Sequence, residues 1–200
     1  MEIKTSIKYD KLKKLAKALS KSATVKVGLL ANKPGENGGK GSDFISENLD
    51  LAGLGALQEF GCQIPVTDKM RGFFRHHFGI NIKSSTTYIN IPARAFLGTL
   101  FSNPKTTERL MSAGNITGDT AFDVEYFKYK LLDNPNFVED ICIALGAKAV
   151  EIIQEAFSTG GFGEWQANSS LTIKNKGSAQ PLVDTGRLSG AITYEVESNG

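Results

Sequence analysis

The residues of this chain that could do chemistry are few and poorly grouped. His76 and His77 are its only histidines. Neighbours on a helix point to different faces, so the two imidazoles cannot easily share one metal ion. There is no His-x-x-x-His pair, and neither Cys62 nor Cys142 lies within helical reach of them, so a zinc or catalytic set is missing. Cys62 follows Gly61 at the end of a helical pattern, not at a helix start that would lower a thiol pKa. Glu151 and Glu155 stand one turn apart, the spacing of a carboxylate pair. They have no companion, and read as the solvated face of a helix. The run GENGGKGS at 35–42 invites a phosphate-loop reading. Pro34 stands where the first glycine belongs and Gly41 where the magnesium-binding hydroxyl belongs, so the run reads as a flexible loop. No Gly-x-Ser-x-Gly elbow is present. The expectation is a protein with no catalytic residue, no metal ligand and no cofactor site.

Charge patterning carries more. The net charge is only +2, yet residues 4–26 hold eight lysines against Asp10, and residues 119–155 hold eight acids against three lysines. A basic end and an acidic stretch can pair within the fold, between copies, or with separate partners. Lys11, Lys14, Lys17 and Lys21 would form the polar face of a helix over 7–21, opposite Leu12, Leu15, Ala16 and Leu19. A nucleic-acid reader would couple such a stripe to arginine or stacking aromatics. Here Tyr9 is the only aromatic and no arginine is present, which leaves backbone-only contact.

The elements around these residues predict an α+β fold in a single domain over 1–200: a small antiparallel or mixed sheet packed on one long helix and shorter helices. Thr24 to Leu30 alternates as a half-buried strand. Asn48 to Phe60 reads as a helix that Gly61 stops. Residues 62–92 read as an insertion: a helix capped by Thr67, then a hairpin of Ile80–Lys83 and Thr86–Ile91 turning at Ser84-Ser85. Residues 98–133 show no sustained period and are expected to be an extended arm or loop, with Phe122, Tyr126 and Phe127 as partner contacts. Asn134-Pro135 is expected to start the longest helix, with Val138, Ile141, Leu145, Ala149, Ile152 and Ala156 on its core stripe. Gly160-Gly161 ends it, and Ala191 to Glu197 reads as the final strand. The longest apolar runs are far below the ~20 residues of a membrane span. The N-terminus lacks an apolar signal-peptide core, so the two thiols are expected to be reduced.

Four stretches, taken in order, resemble one family. They are Val25-Lys26-Val27-Gly28-Leu29, Leu57-Gln58-Glu59-Phe60-Gly61, Ile91-Pro92-Ala93-Arg94-Ala95-Phe96-Leu97, and Lys176-Gly177-Ser178 running on to Pro181-Leu182-Val183-Asp184-Thr185-Gly186-Arg187-Leu188. Their order and spacing are similar to the bacteriophage virion-morphogenesis and tail-completion proteins, the small neck and minor tail components that join head to tail. Ala95 stands where that family usually has proline. The resemblance implies a structural virion protein at the head–tail junction, assembled in the host cytoplasm as a ring of six, with no catalysis, cofactor or membrane. Its implied partners are portal, adaptor or head-closure proteins, tail-tube proteins and DNA passing through the lumen. In this reading Glu59, Phe60, Gly61, Pro92, Arg94, Phe96, Asp184, Thr185, Gly186 and Arg187 hold the fold. Gly61 and Gly186 permit turns, Asp184 or Thr185 caps the turn before the last strand, and Arg94 offers a fork to a carboxylate or to carbonyls. The alternative, from a different class, is a nucleic-acid-backbone-binding module that uses the lysine helix.

Overall fold

The computed structural model describes residues 10, 13, 14, 16, 17, 20–36, 38–46, 49–113, 130–134 and 136–199. Among the described residues, helices and three separate two-stranded antiparallel sheets make up an α+β fold. The largest ladder joins the two ends of the described chain. β1 (Ser22–Gly28) pairs with β6 (Thr193–Asn199), with Val25 opposite Val196 and Val27 opposite Tyr194. Val25 and Val27 turn inward while Thr24 and Lys26 face solvent, and Lys26 pairs with Glu197 across the ladder. The last strand begins later than its alternation suggests, because Ala191 and Ile192 are buried core residues ahead of it.

After β1 the chain forms a short β2–β3 ladder (Phe44–Ser46, Leu49–Asp50), then α1 (Leu51–Phe60). Asp50 caps α1 by accepting from the Gly53 amide at 2.7 Å. The insertion follows as β4 (Cys62–Pro65), α2 (Asp68–Phe78) and β5 (Tyr88–Ile91). Thr67 caps α2 by accepting from the Met70 amide at 3.2 Å, and Gly79 ends the helix left-handed. The hairpin expected within 80–91 does not form. β5 pairs instead with β4, Cys62 opposite Ile91. β4 occupies the edge that the hairpin would have used, and the Arg71 guanidinium holds the intervening turn by donating to the carbonyls of Ile82 (3.1 Å), Lys83 (2.6 Å) and Thr86 (2.8 Å).

Residues 98–113 correct the expectation of an arm beginning at 98. They fold as α3 (Thr99–Ser102) and α4 (Pro104–Ala113), with Thr99, Leu100, Thr106 and Leu110 buried. Threonine hydroxyls, not an apolar period, organise the corner. Thr106 donates to the Thr99 and Asn103 carbonyls (2.5 and 2.7 Å), and Thr107 to the Leu100 carbonyl (3.0 Å). Residues 130–133 are helical, and the remainder of the expected arm, 114–129, lies outside the described residues.

α5 (Phe137–Thr159) is the longest helix and packs on β1, β6, α3 and α4. It starts after Asn136 rather than at Asn134, whose side chain accepts from the Asn136 amide and donates to Asp140. Its buried residues are Cys142, Gly146, Ala149, Ile152, Ile153, Ala156 and Phe157, and Gly160 ends it left-handed. Phe96, fully buried, stacks at 5.2 Å on Phe157, which meets Trp165 edge-on at 5.7 Å. α6 (Ser170–Lys176) and α7 (Arg187–Gly190) complete the chain before β6.

Candidate functional site

The residues of the four motif stretches hold one another. The Glu59 carboxylate, at the end of α1, accepts the backbone N–H groups of Leu97 and Gly98, both at 2.9 Å. That satisfies donors entering α3, as a capping side chain would. Two residues on, Gly61 (φ 69°) lies so close to the chain after β5 that a Cβ would sit 2.7 Å from the Ala93 nitrogen and the Ile91 carbonyl oxygen. The Arg94 amide donates to the Gln58 carbonyl at 2.7 Å. The Arg94 side chain, 7% exposed, turns the other way. Its Nε donates to the Gln166 carbonyl at 3.0 Å and its Nη2 reaches Asn168 Oδ1 at 3.4 Å. Asn168 in turn donates to the carbonyls of Ala179 and Gln180, between the two parts of the last motif. Among the described residues Arg94 has no carboxylate partner, so its fork serves a carbonyl and an amide.

Around these contacts lies a cleft of about 1120 Å³. Leu51, Leu54 and Gln58 of α1 form one wall, and Ile80, Ile82, Ile89 and Ile91 of the insertion form a second. The third is the 166–188 segment, with Asn168, Leu171, Lys176, Asp184 and Arg187. Apolar walls with a few polar groups converging from one side are the usual form of a binding site. Burial lowers the Lys176 pKa; Asp184 raises it and Arg94 lowers it further, so the three side chains share one electrostatic environment. Burial alone lowers the Arg94 pKa. The Gln58 Oε1 is buried without a hydrogen-bond partner.

Pro92, Arg94, Asp184, Thr185, Gly186 and Arg187, expected to hold the fold, therefore line a cleft as well. Three expectations need correction. Asp184 and Thr185 are exposed and neither caps α7, whose first residue follows Gly186 (φ 73°) with no side-chain cap. Phe60 is 80% exposed and makes no core. Glu151 and Glu155 are not merely solvated. Arg109 bridges them from α4, at 3.5 and 2.7 Å, and Lys148 adds a contact to Glu151 at 2.5 Å.

Of the lysine stripe, Lys14 and Lys17 are exposed on helical residues. Lys21 reaches Asn136 Oδ1 at 3.3 Å, beside the start of α5. Lys11, Phe122, Tyr126 and Phe127 lie outside the described residues. His76 and His77 are exposed on α2, with Phe73 stacked on His77 at 4.4 Å. Among the described residues no cluster of His, Cys, Asp or Glu is placed to hold a metal, and no helix is long and apolar enough to cross a membrane. Neither the Glu59 clamp nor the Arg109 bridge has a local signature, because each partner lies tens of residues away. No family model, curated protein or solved structure matches the chain.

Proposed function

We propose that this chain is a structural phage virion protein at the head–tail junction, a neck or tail-completion component that assembles as a ring of six. The observation that carries the reading is the mutual support of the four motif stretches. Glu59 of the second clamps the end of the third, and Arg94 of the third grips the approach to the fourth. The first supplies β1, the partner of the strand that follows the fourth. Such a set of long-range contacts explains why those residues occur together and in that order. The reading has no catalytic step and no cofactor. Its partners are further copies of the chain, portal, adaptor or head-closure proteins and tail-tube proteins, with DNA in the lumen.

A ring needs a heterologous interface, in which two different patches of one subunit meet. Native mass spectrometry of the purified chain and cryo-electron microscopy of the particle test this. A closed ring at the junction is expected. A chain that stays monomeric at high concentration and is absent from the particle overturns the reading.

The exposure of Lys14 and Lys17 favours the second reading, contact with a nucleic-acid backbone. A DNA-binding salt titration separates the two. A phosphate grip loses roughly 0.9 log units of affinity per log unit of salt for each phosphate neutralised. Weak binding without that slope is expected, and a glutamate variant at Lys11, Lys14, Lys17 and Lys21 is expected to fold but fail to assemble. Tight, salt-steep binding together with normal assembly of the variant reverses the ranking.

A further inference from the structure

We infer that the cleft between α1, the insertion and the 166–188 segment docks an extended segment of a partner protein, apolar along its length and carrying a carboxylate for Arg94. The inference goes beyond the ring reading and does not rest on it. Arg94 lines the cleft at 7% exposure. A charge buried to that degree is ordinarily paired with an opposite one. Its Nε and Nη2 meet only the neutral oxygens of Gln166 and Asn168, and its Nη1 donates to none of the described residues. Lys176, on the same wall, feels the Arg94 charge, and Asp184 is the one carboxylate among the lining residues. Arg187 lines the cleft too but already has a partner. Asp184 alone thus stands against the Arg94 and Lys176 cations, and a second carboxylate completes the pairing.

The other walls set the rest of the occupant. Leu51, Leu54, Ile80, Ile82, Ile89 and Ile91 present apolar surface. The free edge of β5 asks for a main chain. The Val66 amide donates to the Thr87 carbonyl at 2.8 Å. Alternation along the β4–β5 ladder therefore turns the N–H and C=O of Ile89 and Ile91 toward β4, and those of Tyr88 and Asn90 away from it. Among the described residues no strand takes that outer edge, and Asn90 lines the cleft. Strand addition at such an edge draws affinity from main-chain bonds and specificity from alternate side chains. Arg94 lies four residues beyond Asn90, at most ~14 Å of chain, so one short segment spans both. A small carboxylate would meet Arg94 and leave the edge unpaired.

Fluorescence anisotropy tests the inference, with the full-length chain titrated into the rhodamine-labelled peptide Val-Thr-Val-Ser-Val-Gln-Asp-amide. The aspartate peptide is expected to bind at least tenfold more tightly than its asparagine counterpart, because only the carboxylate makes a charge-assisted contact with a buried guanidinium. Lys176→Gln is expected to weaken the aspartate peptide and leave the asparagine peptide unchanged. Hydrogen exchange of the complex is expected to slow at residues 88–91. The assay reads the chain in any assembly state, so failure here leaves the ring reading standing, and a missing ring leaves this cleft standing. Absence of binding, equal affinity of the two peptides, or protection confined to another part of the chain overturns the inference. So does sodium octanoate that protects the cleft while neither peptide binds, which assigns the site to small amphipathic carboxylates.

Discussion

Glu59 and Phe60 are adjacent and do opposite things. Glu59 is fixed by two backbone donors, while Phe60 stands 80% exposed beside it. A carboxylate can accept from both amides; an amide side chain can accept from one and turns a donor toward the other. Glu59→Gln is therefore expected to lower stability by about 1–3 kcal/mol, read by urea denaturation. Phe60→Ser is expected to stay within about 0.5 kcal/mol of wild type in the same assay. The Arg109 bridge carries a pH signature. Glu151 is held below the ordinary carboxylate range, first by its hydrogen bond from Lys148 and then by the charges of Lys148 and Arg109. A folded pKa below the unfolded value means that the folded chain binds fewer protons in that window. The stabilisation is thus complete above the ordinary value of 4.5 and is lost as pH falls through the folded pKa. These side chains are half-exposed, so the effect is about 0.2–1 kcal/mol. Lys148→Met, which removes the largest cause, is expected to flatten the acid limb of a stability–pH profile by that amount, and Arg109→Met by a smaller part of it.

At the scale of elements, α5 shows how a helix is tuned to its neighbour. A Cβ on Gly146 would lie 2.3–2.6 Å from Cδ2 and Cγ of the Tyr194 ring on β6, the near part of that side chain rather than its tip. Gly146→Ala improves helix propensity by about 1 kcal/mol. It is nonetheless expected to destabilise, because overpacking costs typically ~1–3 kcal/mol. Denaturant midpoints of this variant against a surface Ala control on α5 check the sign. The second half of the buried stripe of α5 (Ala149, Ile152, Ala156), its glycine stop, the alternation of β1 and the Thr67 cap were legible, since each is a local pattern with a period or a terminus; in the first half Val138, Ile141 and Leu145 are only half-buried, and Cys142 and Gly146 face the core instead. The elements misread are those whose cause is remote. β5 looks set to pair with residues 80–83 until the fold brings β4, on the far side of α2, to its edge, with Arg71 holding the turn between. α3 and α4 lack an apolar period because Thr99, Thr106 and Thr107 satisfy the corner with hydroxyls. The cleft was not legible as a site at all. Its residues come from motifs that look like turn and packing signals, and only the fold brings Arg94 and Arg187 to one cavity.

At the scale of the whole molecule, the β1–β6 ladder sets a kinetic condition. Val25 meets Val196, so nearly the entire chain separates the two strands of the largest sheet. Contacts of such separation must close a very long loop before they are rewarded. Refolding is expected in milliseconds to seconds rather than microseconds, and Trp165, the sole tryptophan, packed on Phe157, reports it by stopped-flow fluorescence. The same ladder has a consequence during synthesis. While a ribosome is still making the chain, β1 has no partner, and the face of α5 that packs on β6 is bare. No growing intermediate can complete the core until residues 193–199 have cleared the exit tunnel, so the fold closes only after translation has passed that point.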